Sequence, residues 1–338
     1  MSAAQQPPAR RSVRSVVGVL VRWGALLAAL VLAGVAVHGR WPEVRGHLAD
    51  LGWPAVTVAV LAAMAAVASS GEQQRALLAA TGANIRPRPW ASVFYLAQLG
   101  KYLPGSAWAY VAQTELARQR GVRRSASVMV IVLGAGMTVA TAVVVAVPAV
   151  ATGRFSDVPA WLQWSVVAVG AAAVAVLAVR PELLADLLAR LPLGFRGLRL
   201  PALARHRGPV RTALGWSFVA WLLYGLHFWS IVAPLGLTGA RGAVMALGTF
   251  ALAWVCGFLF FIAPAGAYVR EAVIYAVLVG EIGASAATAA ALASRFLVMV
   301  AELILTGVGA LLRGRGGAPA SQVDAVDGPT EGTDRSAT

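Results

Sequence analysis

Charged residues are scarce in this chain of 338 residues. They make up 12% of the sequence, whereas soluble domains carry about 25%. Hydrophobic residues make up 59%, which is more than a single water-soluble core can bury. The composition therefore excludes an ordinary soluble protein and indicates that the lipid bilayer surrounds much of the chain.

Cysteine and lysine occur once each, as Cys256 and Lys101. A single cysteine excludes an intramolecular disulfide and a multi-cysteine metal site. The chain has no HExxH or GxSxG motif, and the residues around Lys101 do not match a phosphate-binding loop. We therefore expect no cofactor, no metal ion and no enzymatic activity.

Long hydrophobic runs, in contrast, are abundant. A spanning helix needs about 20 mostly apolar residues, and seven runs are long enough, although the last contains two charged residues. A shorter run, Ala272–Gly280, would rise about 13.5 Å as a helix, which is about half the hydrocarbon thickness. The seven runs are Val16–Val37, Trp53–Ser70, Ala126–Ala151, Ala160–Val179, Thr212–Leu235, Gly242–Ala263 and Thr288–Leu312.

These runs predict an all-α, polytopic membrane protein with about eight transmembrane segments. Seven are full spans and one is short, and one or two helices are re-entrant or broken. Residues 1–15 are predicted to form a cytoplasmic tail and residues 16–312 the transmembrane domain. Residues 313–338 are poor in large apolar side chains, which predicts a disordered C-terminal tail.

The net charge of +14 is distributed according to membrane topology. With the N-terminus in the cytoplasm, 19 basic residues lie in the inner segments before the last span and 4 in the outer loops. The same rule places the C-terminus in the cytoplasm, which requires an even number of crossings. This pattern predicts a multi-pass protein of the cell membrane, and it argues against nucleic-acid binding because no single face gathers the charge.

Two Pro-Gly breaks interrupt the hydrophobic pattern. The first, Pro104-Gly105, separates two arms that are each too short to span, and Lys101 lies beside it. We expect a re-entrant hairpin facing a polar cavity, because broken helices mark substrate sites in many transporters. The alternative is a pair of amphipathic helices on the membrane surface. The second break, Pro264-Ala-Gly266, precedes Arg270 and Glu271.

Arg295 and Glu302 lie within the last hydrophobic run. They are seven residues apart, so they share one helix face about 10.5 Å apart along the axis. Two interpretations stay open: an internal ion pair that fixes helix packing, or a site where Arg295 binds an anionic head group and Glu302 orients it. Either way, we expect Lys101, Arg270, Glu271, Arg295 and Glu302 to surround one polar cavity, because charges facing lipid are costly.

These motifs resemble the lysylphosphatidylglycerol synthase transmembrane-region family, also called flippase-like integral membrane proteins. The resemblance rests on the segment from Gln98 to Val122, on Pro264 to Glu271, and on Ser294-Arg295 with Glu302. Tyr268 stands where the family usually has a glycine. Lysyl-transferring members carry a soluble aminoacyltransferase domain after the membrane part, and we do not expect one here because 26 residues follow the last run. The resemblance therefore implies handling or translocation of a lipid and argues against aminoacyl transfer.

Together the residues and the resemblance predict a protein that translocates or handles an anionic or phosphate-bearing lipid, without its own ATPase. Candidate partners are membrane lipids, including lipid-linked sugars, and a membrane-associated glycosyltransferase or lipid-modifying enzyme. The alternatives are a polyprenyl-phosphate-dependent glycosyltransferase and a non-catalytic scaffold. The candidate substrate-binding residues are Gln98, Lys101, Tyr102, Pro104, Gly105, Pro264, Gly266, Arg270, Glu271, Arg295 and Glu302.

Two smaller predictions concern side chains in or near the spans. His227 is expected to be a hydrogen-bonded contact between helices rather than a proton relay. Five tryptophans near the ends of the runs are expected to anchor the protein at the membrane interface. They are Trp41, Trp53, Trp90, Trp161 and Trp164.

Overall fold

The computed structural model describes residues 41–102, 108–147, 159–180, 207–259 and 268–314. Within these ranges the chain forms ten α-helices and one 3-10 turn, and no β-strand. The helices are α1 (Trp41–Asp50), α2 (Gly52–Ala80), α3 (Pro87–Ala97), α4 (Trp108–Arg118), α5 (Arg124–Val145), α6 (Ala160–Val179), α7 (Arg207–Val232), α8 (Gly239–Leu259), α9 (Val269–Ile282) and α10 (Ala284–Gly314). The 3-10 turn, Gln98–Tyr102, follows α3 directly.

The predicted all-α membrane fold is confirmed. Five helices are long and apolar enough to cross a bilayer, namely α2, α5, α7, α8 and α10, and α6 contributes a shorter apolar stretch. The first predicted span, Val16–Val37, and both predicted tails lie wholly or mostly outside the described residues. The count of eight crossings therefore stays a prediction.

Helices α2 and α7 form the centre of the bundle, and small residues on α2 allow their close approach. Ala59, Ala62, Ala63 and Ala66 line the buried face of α2. Small side chains let helix backbones come close together, which increases van der Waals contact where lipid supplies no hydrophobic driving force. The remaining spans pack around this pair.

The second span is longer than its hydrophobic run. The run predicts an end near Ser70, but α2 continues to Ala80. The extension carries an ion pair between Glu72 and Arg75 at 2.6 Å, and the buried Gln73 amide donates to Thr138 on α5 at 3.2 Å. Helix i,i+3 pairing and bonds to a neighbouring span satisfy these polar groups. The polar end of α2 thus lies inside the bundle.

Helices α3 and α4 are the two arms predicted around the first break. They lie against each other: a Cβ atom added to Gly100 would meet the backbone nitrogen of Ala109 at 2.5 Å. The α3 arm is also buried against α10, because Ser92 donates to the carbonyl of Gly309 at 2.9 Å. These contacts support the hairpin rather than a helix pair on the membrane surface.

Trp90 on α3 corrects one sequence prediction. It was expected to anchor at the membrane interface, but it is 1% exposed and donates from Nε1 to the carbonyl of Gly71 at 2.7 Å. Packing of α3 against α2 buries it, and the sequence position alone gave no sign of that packing. Trp53, Trp161 and Trp164 are exposed, as the interface prediction requires.

Helices α9 and α10 run antiparallel. Glu281, near the end of α9, pairs with Arg241 at the start of α8 at 3.1 Å. At the opposite end of the bundle, Arg313 donates to Gln119 just after α4 at 3.1 Å. The end of α10 and the base of the hairpin therefore lie on one side.

Helix α9 has 14 residues, which gives it a length of about 21 Å, longer than the run Ala272–Gly280 predicts.

Candidate functional site

The lysine beside the first break pairs with the glutamate of the last span. Lys101, in the 3-10 turn, donates from Nζ to Oε1 of Glu302 on α10. Glu302 is 3% exposed and lies about 18 Å from the C-terminal end of α10. The hairpin thus delivers a cation to a carboxylate in the central part of a candidate span.

A second ion pair joins α10 to α9. Arg295 Nη1 donates to Oε1 of Glu271 on α9 at 3.3 Å. Arg295 lies about 17 Å from the N-terminal end of α10. Arg295 and Glu302 therefore pair with different chain segments rather than with each other. Both interpretations of Arg295 and Glu302 stay open, because each residue forms an ion pair with another chain segment.

Arg270 occupies the space between these pairs. Its guanidinium lies over the ring of Phe250 on α8, 4.2 Å from the ring centroid. It also interacts electrostatically with Glu271, Arg295 and Glu302. Four of the five predicted charges are thus linked through Arg270, and Lys101 joins them through Glu302.

Within the part of the chain that the structure describes, two atoms of this cluster are buried without a hydrogen-bond partner. They are Nη2 of Arg270 and Oε2 of Glu271. Leaving a buried polar atom unsatisfied costs about 1–3 kcal/mol, and more when the group is charged. The cluster therefore has unused capacity to donate and to accept a hydrogen bond.

Aromatic and polar neighbours hold the cluster in place. Phe250 stacks on Tyr224 of α7 with ring centroids 5.1 Å apart. Beside them, Nδ1 of His227 donates to the Ala59 carbonyl at 2.9 Å, and its Nε2 forms a hydrogen bond with the Ser294 hydroxyl at 3.0 Å. His227 is thus a hydrogen-bonded contact between α2, α7 and α10, as predicted.

A small cavity adjoins this region. It has a volume of about 50 Å³ and lies between α2, α5, α7 and α8. A cavity of this size has room for a water molecule, and its lining offers several polar partners. Tyr224 belongs to its lining and also interacts electrostatically with Arg270 and Glu302. A cavity enclosed by all five charged groups stays a prediction. The lining residues are Ser70, Gln73, Thr138, Ser217, Ala220, Trp221, Tyr224 and Trp254.

The remaining predicted site residues divide into two groups. Gln98 begins the 3-10 turn, where it is half-buried, and Tyr102 ends it. Pro104, Gly105, Pro264 and Gly266 lie outside the described residues. Lys101 lies just before the first break and Arg270 lies just after the second. Both residues belong to the same charge cluster.

Tyr268 marks the end of the second break. It has φ 71° and ψ −43°, a backbone conformation that favours glycine. It stands at the position where the family that this sequence resembles usually has glycine. The tyrosine therefore keeps the backbone conformation and adds the steric cost of a Cβ atom, about 1–2 kcal/mol by comparison with left-handed helical residues.

A separate ionic cluster lies at the base of the hairpin. Glu115 on α4 accepts from Arg118 at 2.7 Å and from Arg124 on α5 at 3.1 Å. Hydrogen bonds from these two guanidinium groups lower the pKa of Glu115 to about 2. All three side chains are at least 41% exposed, so this cluster joins α4 to α5 at the surface and forms no part of the buried site.

Sequence reasoning missed Tyr224 and Phe250. Both lie in continuous hydrophobic runs, where an aromatic residue gives no sign of the charge beside it. The arginine after the second break was the available signal, because a cation entering a helical bundle needs carboxylates or an aromatic face.

The fold and the buried charge cluster define a polytopic α-helical integral membrane protein with ionisable groups inside its spanning bundle. The chain belongs to the family described as the lysylphosphatidylglycerol synthase TM region, whose model matches residues 15–305. The match covers nearly all the described helices and all the residues of the cluster. A comparison with curated protein sequences gave no match.

Proposed function

We propose that the protein binds an anionic or phosphate-bearing lipid and moves it across the cell membrane, without an ATPase and without catalysing a reaction. A lipid gradient, an ion gradient or a partner protein would supply the driving force. The N- and C-termini lie in the cytoplasm. Membrane lipids, including lipid-linked sugars, are the substrates, and a lipid-modifying enzyme or membrane-associated glycosyltransferase is the proposed partner.

The observation that carries this proposal is the convergence of five charged side chains from three chain segments. Lys101, Arg270 and Arg295 meet Glu271 and Glu302 in the central part of the bundle. Each charge at the centre of a span costs at least about 2.5–3.5 kcal/mol when it is not compensated. Three cations against two carboxylates leave a net charge of +1, which suits a phosphate group.

The interrupted helices support movement rather than static binding. The hairpin arms and α9 are all shorter than a full span, and the hairpin and α9 each place a charged residue against the middle of α10. Helices broken near the bilayer midplane are the elements on which many transporters build their substrate sites.

Ion pairing of the acidic residues supports a non-catalytic role. Cleavage of a glycosidic bond commonly uses a pair of carboxylates that act on one substrate. Here Glu271 and Glu302 pair with Arg295 and Lys101, and Glu281 pairs with Arg241 at the far end of α9.

The test is lipid movement in reconstituted liposomes. The full chain is reconstituted with acyl-chain-labelled fluorescent phosphatidylglycerol, phosphatidylethanolamine or phosphatidylcholine, and dithionite bleaches the label in the outer leaflet. We expect bleaching of the inner-leaflet label to be fastest for phosphatidylglycerol, because its head group carries a net negative charge. Arg295→Gln should abolish the movement while the protein stays inserted.

Arg241→Gln is the matched control. It also removes an arginine that pairs with a glutamate of α9, but Arg241 is 72% exposed and lies at the end of the helix. Movement at the wild-type rate in Arg295→Gln, or equal loss in both variants, would reject the cluster as the substrate site.

A further inference from the structure

Two serine oxygens line the cavity between α2, α5, α7 and α8, and their hydrogens are already used elsewhere. Ser70, on α2, donates to the Ala66 carbonyl of its own helix at 3.0 Å. On α5, Thr141 donates to the Met137 carbonyl at 2.8 Å. The 2.8 Å hydrogen bond between Thr141 and Ser217 therefore takes its hydrogen from Ser217. Ser70 and Ser217 each keep oxygen lone pairs that can accept a further bond.

The other polar groups of the lining are engaged with one another or with a neighbour. Trp221 lines the cavity, but its Nε1 donates to Thr141 at 3.0 Å. On the side where α2 meets α5, Nε2 of Gln73 donates to Oγ1 of Thr138 at 3.2 Å. The wall therefore offers acceptors at its two serines, and a ligand that fits it must donate hydrogen bonds or carry a positive charge.

We propose that this cavity is a hydration site, in which ordered water donates to Ser70 and Ser217 and so joins α2 to α7. Its volume of about 50 Å³ is sufficient for water. Cavities that stay dry are apolar, whereas a polar cavity with two to four partners holds water. This inference concerns the interior of the bundle and does not depend on lipid movement.

Charge balance favours water over a monovalent cation. The lining residues that the structure describes include no carboxylate. Tyr224 lines the cavity and stacks on Phe250, over which the Arg270 guanidinium lies. A cation here would add to the net charge of +1 in the neighbouring cluster without a counter-ion, which is costly in a buried site. Water instead places orientable dipoles beside that positive charge.

The test is hydroxyl-radical labelling of the purified full chain in lipid nanodiscs by X-ray radiolysis, followed by mass spectrometry of its peptides. Radiolysis converts bound water into radicals that modify the side chains beside it. Trp221 and Trp90 form a matched pair, because each is 1% exposed and donates from Nε1 to an oxygen inside the bundle. Trp221 lines the cavity and Trp90 does not. Because the ordered water would lie beside Trp221, we expect Trp221 to be labelled at least about fivefold faster than Trp90.

Variants assign the labelling to the cavity. Ala220→Val adds two methyl groups to a lining residue, which take the space of the water, and should lower the labelling of Trp221 to that of Trp90. Ser70→Ala removes one acceptor and should lower the labelling at least about twofold. Ser69→Ala is the matched control, because Ser69 also donates to the carbonyl four residues before it but does not line the cavity. Labelling in Ser69→Ala should equal that of the wild type.

Each outcome supports or overturns the hydration site. Equal labelling of Trp221 and Trp90 in the wild type would show that the cavity holds no ordered water. Labelling of Trp221 that Ala220→Val and Ser70→Ala both leave unchanged would also overturn the proposal. Slower labelling in sodium or potassium chloride than in choline chloride would show that a cation occupies the site. Equal labelling in the three salts, with a loss in the two cavity variants, would support water.

Discussion

Lys101 and Glu302 form an ion pair, and we expect replacement of each residue to cost a different amount of stability. Glu302 is 3% exposed, whereas the Lys101 side chain is 29% exposed. Lys101→Met removes the ammonium and leaves its carboxylate partner buried. Breaking a buried pair in this way costs about 3–5 kcal/mol.

The reverse change is expected to cost less. Glu302→Gln leaves the charge on Lys101, whose side chain already reaches the surface of the fold and can be hydrated. We therefore expect a loss of about 1 kcal/mol, as for exposed pairs. In the double variant, no charge of the pair is left buried, so its stability should lie close to that of Glu302→Gln alone.

The assay is unfolding in mixed micelles with increasing sodium dodecyl sulfate, followed by tryptophan fluorescence and circular dichroism. Arg241→Met serves as the control, because its ion pair is exposed at the helix end and should contribute less than about 1 kcal/mol. Equal losses in the two single variants, or a double variant whose loss equals the sum of the two, would refute the argument, since coupled neighbours should not be additive.

Two further predictions concern the backbone and the surface charges. Tyr268→Gly should raise the stability by about 1–2 kcal/mol because glycine adopts positive φ without steric cost, whereas Tyr268→Ala should not; the mixed-micelle unfolding assay compares them. Because the pKa of Glu115 is lowered to about 2, its stabilising effect should be fully present above its ordinary value of 4.5 and be lost as the pH falls towards 2. The stability difference between the wild type and Glu115→Gln, measured from pH 7 to pH 2, should be constant above pH 5 and shrink below it; a difference that already shrinks between pH 7 and pH 5 would contradict the assignment.

Much of the architecture was predictable from the hydropathy of the chain. Helices α5, α7, α8 and α10 lie where long apolar runs predict them, because a backbone in lipid must satisfy its own hydrogen bonds and a helix does this locally. The prediction erred where helices continued beyond their apolar runs. Helix α2 extends through Glu72, Gln73 and Arg75 because neighbouring helices accept its polar side chains.

The residue types of the site were also predictable. Intramembrane charges are costly and therefore conspicuous, so Lys101, Arg270, Glu271, Arg295 and Glu302 stood out without a structure. A helix period could place Arg295 and Glu302 on one face. It could not choose their partners, because the competing carboxylate and ammonium come from other segments.

Tertiary structure decided those partners. Lys101 lies 201 residues before Glu302 in the chain, and only the packing of the hairpin against α10 brings them together. Packing of α3 against α2 likewise buries Trp90, and packing of α9 against α8 places Arg270 on Phe250. Hydropathy is a property of each residue and its near neighbours, so the sequence alone determined which segments are helical and enter the membrane. Ion pairing depends on distances of a few ångströms between remote segments, and these distances exist only after the helices have packed.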